Sequence, residues 1–576
     1  MNRYKVIFLL FLSTFAINSF SQESNKSLII EGVVSDSGNA LPFATVYNHS
    51  DKSATITNHE GYFELEISSW SDTVLVSYVG YKTQKINFSE NRNKYNIELK
   101  AASVDIRTVT VVPKDYTSIY NLLESCKNKR SRKKKESKSY YQLKSYIDNQ
   151  QIELVEAFFN ATVYGYDLLD MKLKCGRVGL RKKEKSFFGS LETSKSINHH
   201  KLFFSSQNFP ASPLEFNAKR MKRKFYLELE QTYIDENQDS IFVVYLFPKK
   251  NKDEMFFCRA WINATDTSLL KVELQGSDLD IFPFMPIYEG DYLSSKNLTM
   301  TKTFKNIDED SFFEQIYFEY DFNYHKNGEN GYRVKTEAIL YNYDFQTPFF
   351  IPFYGFKSKG LTDYQMLGAI PYNQFFWEYN DELKLNEEYG LNQAFMNDSN
   401  TVTNYNYLEK QSSLNQLFSY PLYQWSNKRF GFKEFPKKTA YTEGEPDYQL
   451  FGGIFLDYNH YKDSINLLTA SVFDAYLSYY RYYITPAANC FFNIYFDLIE
   501  TRRRKFERAV KKESISEDEL KDFYEMQSEQ LMEELKTYES EVERGRNSEK
   551  FRVWNYEILN NLNIDNISIF QLEQRD

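Results

Sequence analysis

The chain has 576 residues, of which 42% are hydrophobic, 26% charged and 17% aromatic (46 Tyr, 49 Phe and 5 Trp), with a net charge of −9. So many aromatic residues exclude a disordered chain, and 21 Gly with 14 Pro exclude a collagen-like or low-complexity one. The acidic balance disfavours nucleic acid as the main partner.

The N-terminus reads as a targeting segment. Arg3 and Lys5 precede an apolar stretch over 6–17, broken only by Ser13 and Thr14, and a small polar stretch follows. This is the pattern of a secretory signal peptide over 1–21, cleaved after Ser21. The alternative is a membrane anchor, for which about 20 apolar residues are needed. No Cys follows the stretch to accept a lipid. The expected address is therefore export, to the periplasm or the outer membrane, with peripheral membrane association. Cys126, Cys175, Cys258 and Cys490 are far apart, with no CxxC pair and no His at ligand spacing. They read as buried free thiols, one adventitious disulfide being the alternative.

Residues 27–101 read as a small β-sandwich. Short strands recur at about ten-residue spacing between turn signals. Residues 62–67 alternate cleanly, placing Phe63, Leu65 and Ile67 on one face. The motifs Gly32-Val33-Val34-Ser35-Asp36, Leu41-Pro42-Phe43-Ala44-Thr45-Val46, Thr57-Asn58-His59-Glu60-Gly61-Tyr62-Phe63 and Gly80-Tyr81 occur in that order. In order and spacing they resemble the carboxypeptidase-regulatory-like domain, a transthyretin-like sandwich found in cell-envelope proteins of Bacteroidota. The remainder resembles uncharacterised envelope proteins that carry this domain. The resemblance implies an accessory module and not a zinc peptidase. The six histidines, His49, His59, His199, His200, His325 and His460, include no zinc-protease spacing. No catalytic residue, metal ligand or cofactor is expected.

Residues 102–138 read as a linker. Within it 119–126 forms a short amphipathic helix, and 127–138 carries eight basic residues in twelve. Mutual repulsion predicts an extended, solvated connector there. The functional alternative sets Arg130, Arg132, Lys133, Lys134 and Lys135 against anionic lipid or lipopolysaccharide phosphate, worth about 1 kcal/mol per residue.

Residues 139–345 read as a large antiparallel β domain. Residues 225–230 alternate strictly, and 261–273 reads as a hairpin. Such a sheet resembles the curved half-barrel of lipoprotein-carrier proteins. Glu156 with Asn160-Ala161, and Gly176-Arg177-Val178-Gly179-Leu180, stand out as motif-like stretches without an assigned role.

Two proline-interrupted aromatic runs follow, 281–288 and 347–356. Proline prevents helix and central strand in them. They either lid a core or present a binding surface. The surface reading names Phe282, Phe284, Tyr288, Phe349, Phe350, Phe353, Tyr354 and Phe356. Residues 346–490 are mixed and aromatic-rich, with a short helix expected over 408–417.

Residues 491–576 read as helical. A basic helix over 491–512 precedes one that Ser516 and Glu519 open as a capping box. Opposite charge predicts an antiparallel hairpin, the alternative being an anionic surface against the basic face. The fold class is thus mainly β and multi-domain: an N-terminal sandwich, a central antiparallel sheet and C-terminal helices.

No GxSxG, P-loop, Rossmann or HExxH pattern is present. The best functional reading is an exported envelope binding or scaffold protein without catalysis, with an envelope protein, glycan or lipid as partner. Lipid or lipoprotein handling is one alternative, and a carbohydrate-active hydrolase is the other. Lipid handling predicts an apolar concavity, whereas a scaffold predicts a filled sheet.

Overall fold

The structure is a computed structural model. It describes residues 28–102 and 116–572, apart from 51–52, 59, 89–91, 184–185, 191–192, 309, 328–330, 359–360, 380–382, 384–385, 408–413, 415–417, 419, 427, 432–443, 462–463 and 514. The signal peptide expected over 1–21, His59 and most of the helix expected over 408–417 lie outside the described residues. Two compact units are present: 1–103 with 383–390, and 104–382 with 391–576.

The first unit is the expected sandwich. Its strands are β1 (Leu28–Asp36), β2 (Asn39–Ala40), β3 (Thr45–Asn48), β4 (Ala54–Ile56), β5 (Tyr62–Ile67), β6 (Val74–Ser77), β7 (Gln84–Ile86) and β8 (Lys94–Glu98). One sheet runs β2-β1-β5 with β8 parallel on β1, and the other runs β4-β3-β6-β7. Phe63, Leu65 and Ile67 point into the shared core with Ile30, Val46 and Val76. The turn into β5 needs Gly61. Its φ is +75°, and a Cβ there would lie 2.3 Å from the Val34 carbonyl oxygen.

The second unit opens with α1 (Thr117–Lys129). Then come β9 (Lys134–Ile147), β10 (Gln150–Tyr164), β11 (Asp167–Lys183) and β12 (Ser186–Phe187), and helices α2 (Thr193–His199) and α3 (Ala218–Lys224). A meander follows: β13 (Phe225–Ile234), β14 (Ser240–Pro248), β15 (Phe257–Asn263), β16 (Ser268–Gly276), β17 (Tyr292–Ile307), β18 (Asp310–His325) and β19 (Tyr332–Asp344). Beyond it lie α4 (Asp363–Ala369), α5 (Gln374–Tyr379), α6 (Asn386–Asn397) and β20 (Thr401–Thr403). These strands make one twelve-stranded antiparallel sheet, ordered β12-β11-β10-β9-β19-β18-β17-β16-β15-β14-β13, with β20 also on β11. It does not close into a barrel, because β12 and β13 are not paired with each other. It is nonetheless strongly curved, since β18 approaches β10 and β11 across intervening strands.

The basic run does not form an extended connector. Lys127 and Lys129 end α1, and Lys134 opens β9. Local repulsion is overcome by distant partners. Lys129 pairs with Asp266, Lys133 with Asp310 and Lys135 with Asp308. Lys127 and Arg130 both lie over the Phe204 ring.

The C-terminal part sets β21 (Leu422–Gln424), β23 (Gly452–Tyr461) and β24 (Ser464–Asp474) in a small sheet, while β22 (Tyr448–Gln449) pairs with β25 (Tyr479–Tyr480). Helices α7 (Pro486–Glu513), α8 (Glu517–Val542), α9 (Ser548–Leu562) and α10 (Asn566–Ile569) complete it. Leu456 and Phe473 share a core with Phe491, Leu498, Leu520 and Leu535. The expected hairpin of α7 and α8 is therefore packed against strands and extended by α9. Its charge complementarity is narrower than expected. Arg502 reaches Glu534 across the hairpin at 2.5 Å, but Arg503, Arg504 and Lys511 pair with Glu500 and Glu507 of their own helix. Glu519 accepts from the backbone N and Oγ of Ser516, the capping box read from the sequence.

Candidate binding surface

The two faces of the large sheet have different occupants. Strand alternation turns Val155, Ala157, Ala338, Leu340, Phe318 and Met300 to the inner face. That face is covered by the chain itself. Ile119 and Leu123 of α1, Phe203, Met221 of α3, Phe256 and Leu367 of α4 are buried in the same core. The inner face is therefore a filled core along this side.

A few polar groups interrupt that core. Glu153 of β10 is fully buried and accepts from Ser145 Oγ at 2.6 Å, Ser190 Oγ at 3.0 Å and the Ser190 backbone N at 3.2 Å. Burial without a cation pushes its carboxyl up to about 7, against the pull of those hydrogen bonds. Lys302 of β17 is likewise buried and donates to the His200 carbonyl oxygen at 3.2 Å. Desolvation lowers its ammonium to about 8, and it holds the buried His200 imidazole well below its usual range, together with repulsion from Lys302 and Lys201.

On the outer face, β10 and β11 carry a second polar cluster. Glu156 and Arg177 are cross-strand partners, bonded at 2.8 Å through Nε and 2.6 Å through Nη2. The guanidinium lies 4.2 Å from the Trp377 ring centre, donates to Gln393 at 2.6 Å, and Glu156 also accepts from Asn392 and Tyr140. Lys174 bonds Asp457 at 2.5 Å and the carbonyl oxygens of Phe350 and Tyr458. The motif-like stretches around Glu156 and Arg177 thus meet in one ion pair that holds α5 and α6 onto the sheet. Gly179 fits the same contact, for a Cβ would lie 2.8 Å from Met396 of α6, whereas Gly176, opposite Ala157, faces the inner side, where a Cβ would lie 2.2 Å from Leu367 of α4. The ion pairs and hydrogen bonds of both clusters run between segments of this chain, as in structural staples. Among the described residues no three His, Cys, Asp or Glu side chains are grouped to hold a metal ion.

The aromatic runs divide. In 347–356, Phe349 packs on Phe158 and Phe376, Phe350 on Tyr458, Phe353 stacks on Tyr524 at 4.1 Å, and Phe356 meets Tyr420. Tyr354 donates its hydroxyl to the Leu173 carbonyl oxygen. This run is a strap between the large sheet and the C-terminal core, with all five rings buried or half-buried. In 281–288, Phe282 and Phe284 pack on Tyr320 and Phe322 or Phe318. Beyond that anchor Met285, Ile287 and Tyr288 are 82%, 68% and 74% exposed, and Tyr292 is 57% exposed. Tyr288 is therefore the one named ring at the surface, and Met285 and Ile287 are neighbours the aromatic count overlooked. Of the basic residues, Arg132 and Lys134 are exposed, whereas Arg130, Lys133 and Lys135 are engaged as described above.

Among the described residues no helix is long and apolar enough to cross a membrane. No curated protein matches the chain. Solved structures give remote likenesses. A putative outer membrane lipoprotein-sorting protein domain from Vibrio parahaemolyticus is 11% identical, with a TM-score of 0.18 over 40% of this chain and 92% of that one. A LolA superfamily protein from Nitrosomonas europaea is 10% identical, with a TM-score of 0.14 over 39% and 96%. The Pseudomonas aeruginosa MucA/MucB complex gives 8% identity and a TM-score of 0.14 over 38% and 93%. At these scores the likenesses carry no argument about function. The sequence match is firmer and local: residues 30–111, which include most of the sandwich at the front of the chain, match the family model of the CarboxypepD_reg-like domain.

Proposed function

We propose that the chain is a non-catalytic binding protein of the cell envelope, offering the sandwich and the rim of the large sheet to a protein partner. The observation that supports this most is the contrast between the two ends of the 281–292 loop. Phe282 and Phe284 fix it to a filled core, while Met285, Ile287 and Tyr288 stand in solvent. Large apolar side chains presented outward from an anchored loop are what a protein-binding anchor requires. The neighbouring Asp278, Asp280 and Glu289 are exposed and acidic, which favours a basic protein surface over an anionic lipid one.

The test is a photo-crosslinking residue placed at Tyr288, in the full chain expressed in its own envelope. A discrete protein adduct that disappears with Ile287→Ser is expected. Adducts to lipid alone, with co-purified lipid in the native mass spectrum, would replace this reading with lipid handling.

A further inference from the structure

Glu153 sits where the curved sheet meets the segments that cover it. It is on the inner face of β10, and its cross-strand neighbour is Ser145 of β9. The Ser145 hydroxyl also contacts Thr336 of β19 at 3.0 Å, so one side of the carboxylate is fixed to three adjacent strands. The other side holds the cover. Ser190, just after β12, gives Glu153 both its backbone N–H and its hydroxyl. The same N–H approaches the Tyr364 hydroxyl of α4 at 3.1 Å. Gly189 lies flat on the Tyr364 ring, where a Cβ would come within 2.8 Å. Asp363 of α4 accepts from the backbone N and Oγ of Ser194, tying α2 to α4. The cover is thus one connected piece, and Glu153 is its polar attachment to the sheet.

Among the described residues no cation pairs with Glu153. Asp363 faces it from α4, Tyr141 from β9 and Tyr320 from β18. The Tyr320 hydroxyl lies 3.0 Å from the Thr193 hydroxyl of α2, and either can be the donor. The donors to Glu153 among the described residues are the Ser145 and Ser190 hydroxyls and the Ser190 N–H. A buried carboxylate without a cation is costly when ionised, and it recovers most of that cost by reaching water. The element between Glu153 and solvent is the cover that it holds.

We propose that Glu153 is a proton-operated latch: protonated, it keeps the segment through Ser190 together with α2 and α4 seated on the inner face, and ionised, it promotes their local lifting. The sign follows from linkage. The seated state binds a proton that the lifted, solvated state releases, because burial raises the seated carboxyl to about 7 from its ordinary value. Lifting therefore increases with pH, by close to tenfold per unit below about 7, and levels off above it.

Hydrogen exchange of the full chain, read by mass spectrometry from pH 5.5 to 8.5 and corrected for intrinsic rates, tests this. Peptides over 186–199 and 361–370 are expected to lose protection by about tenfold per unit up to neutrality. Peptides from α7 and α8 should not change. Glu153→Gln keeps the shape and removes the titration, so its two cover peptides should exchange independently of pH. Ser190→Ala removes one donor and should raise exchange of the same peptides across the whole range. A wild-type profile that is flat in the cover peptides overturns the latch, whether or not Glu153→Gln folds. So does a Glu153→Gln profile that keeps the wild-type slope.

Discussion

At the residue scale, the ion pair of Glu156 and Arg177 decides how well the outer face of β10 and β11 holds its helices. Both side chains are about 2% exposed or less. Removing one partner leaves a charge with neither water nor counter-ion, which costs about 3–5 kcal/mol. Arg177→Met is therefore expected to lower the urea midpoint strongly, whereas Arg177→Met with Glu156→Leu should recover most of the loss. Both residues stood out in the sequence, but their role did not. A 21-residue separation becomes a cross-strand contact only once the β10–β11 turn is known. The Lys174 and Asp457 pair, 283 residues apart, left no local trace at all. Glu153 was equally hidden, because a single Glu in an alternating strand reads as solvent-facing.

At the element scale, turns and caps carry the predictions. Asn547 caps α9 by accepting from the Lys550 backbone N at 3.2 Å. Asn547→Ala should cost about 1 kcal/mol in thermal or chemical unfolding. Gly61→Ala should cost more than about 1 kcal/mol, because the new methyl meets the Val34 carbonyl oxygen in a backbone conformation that favours glycine. Its sign would appear as loss of the sandwich transition in calorimetry, with the second unit unchanged. These elements were legible because their signals are local: alternation over 62–67, and Ser516 with Glu519 ahead of α8. The basic run was misread for the opposite reason. Its charges are matched by Asp266, Asp308 and Asp310, which arrive more than a hundred residues later. The strap over 347–356 shows the same limit, for proline told that it is irregular but not that Tyr458 and Tyr524 cover it.

For the whole molecule, burial sets the chemistry of the four cysteines. All are free and buried. Desolvation raises the Cys126 thiol to about 12 and raises Cys258 and Cys490 as well. Intact protein should resist iodoacetamide at pH 8, and four equivalents should react once it is unfolded. A non-reducing gel should show no mobility shift against the reduced chain. This outcome is legible in the sequence, where the four cysteines are far apart and form no CxxC pair.

The order of strands in the large sheet has one more consequence, in time and not in space. The chain enters the sheet at its middle with β9, builds outward to β12, crosses to the far edge at β13 and returns strand by strand until β19 joins β9. That closing contact links Ser145 to Thr336, 191 residues later. During synthesis, β9 therefore waits with a fourteen-residue unpaired edge while the whole meander emerges behind it. A nascent chain of this kind is most exposed to mispairing just before its last strand arrives, so chaperone dependence should end abruptly when residues 332–344 become available.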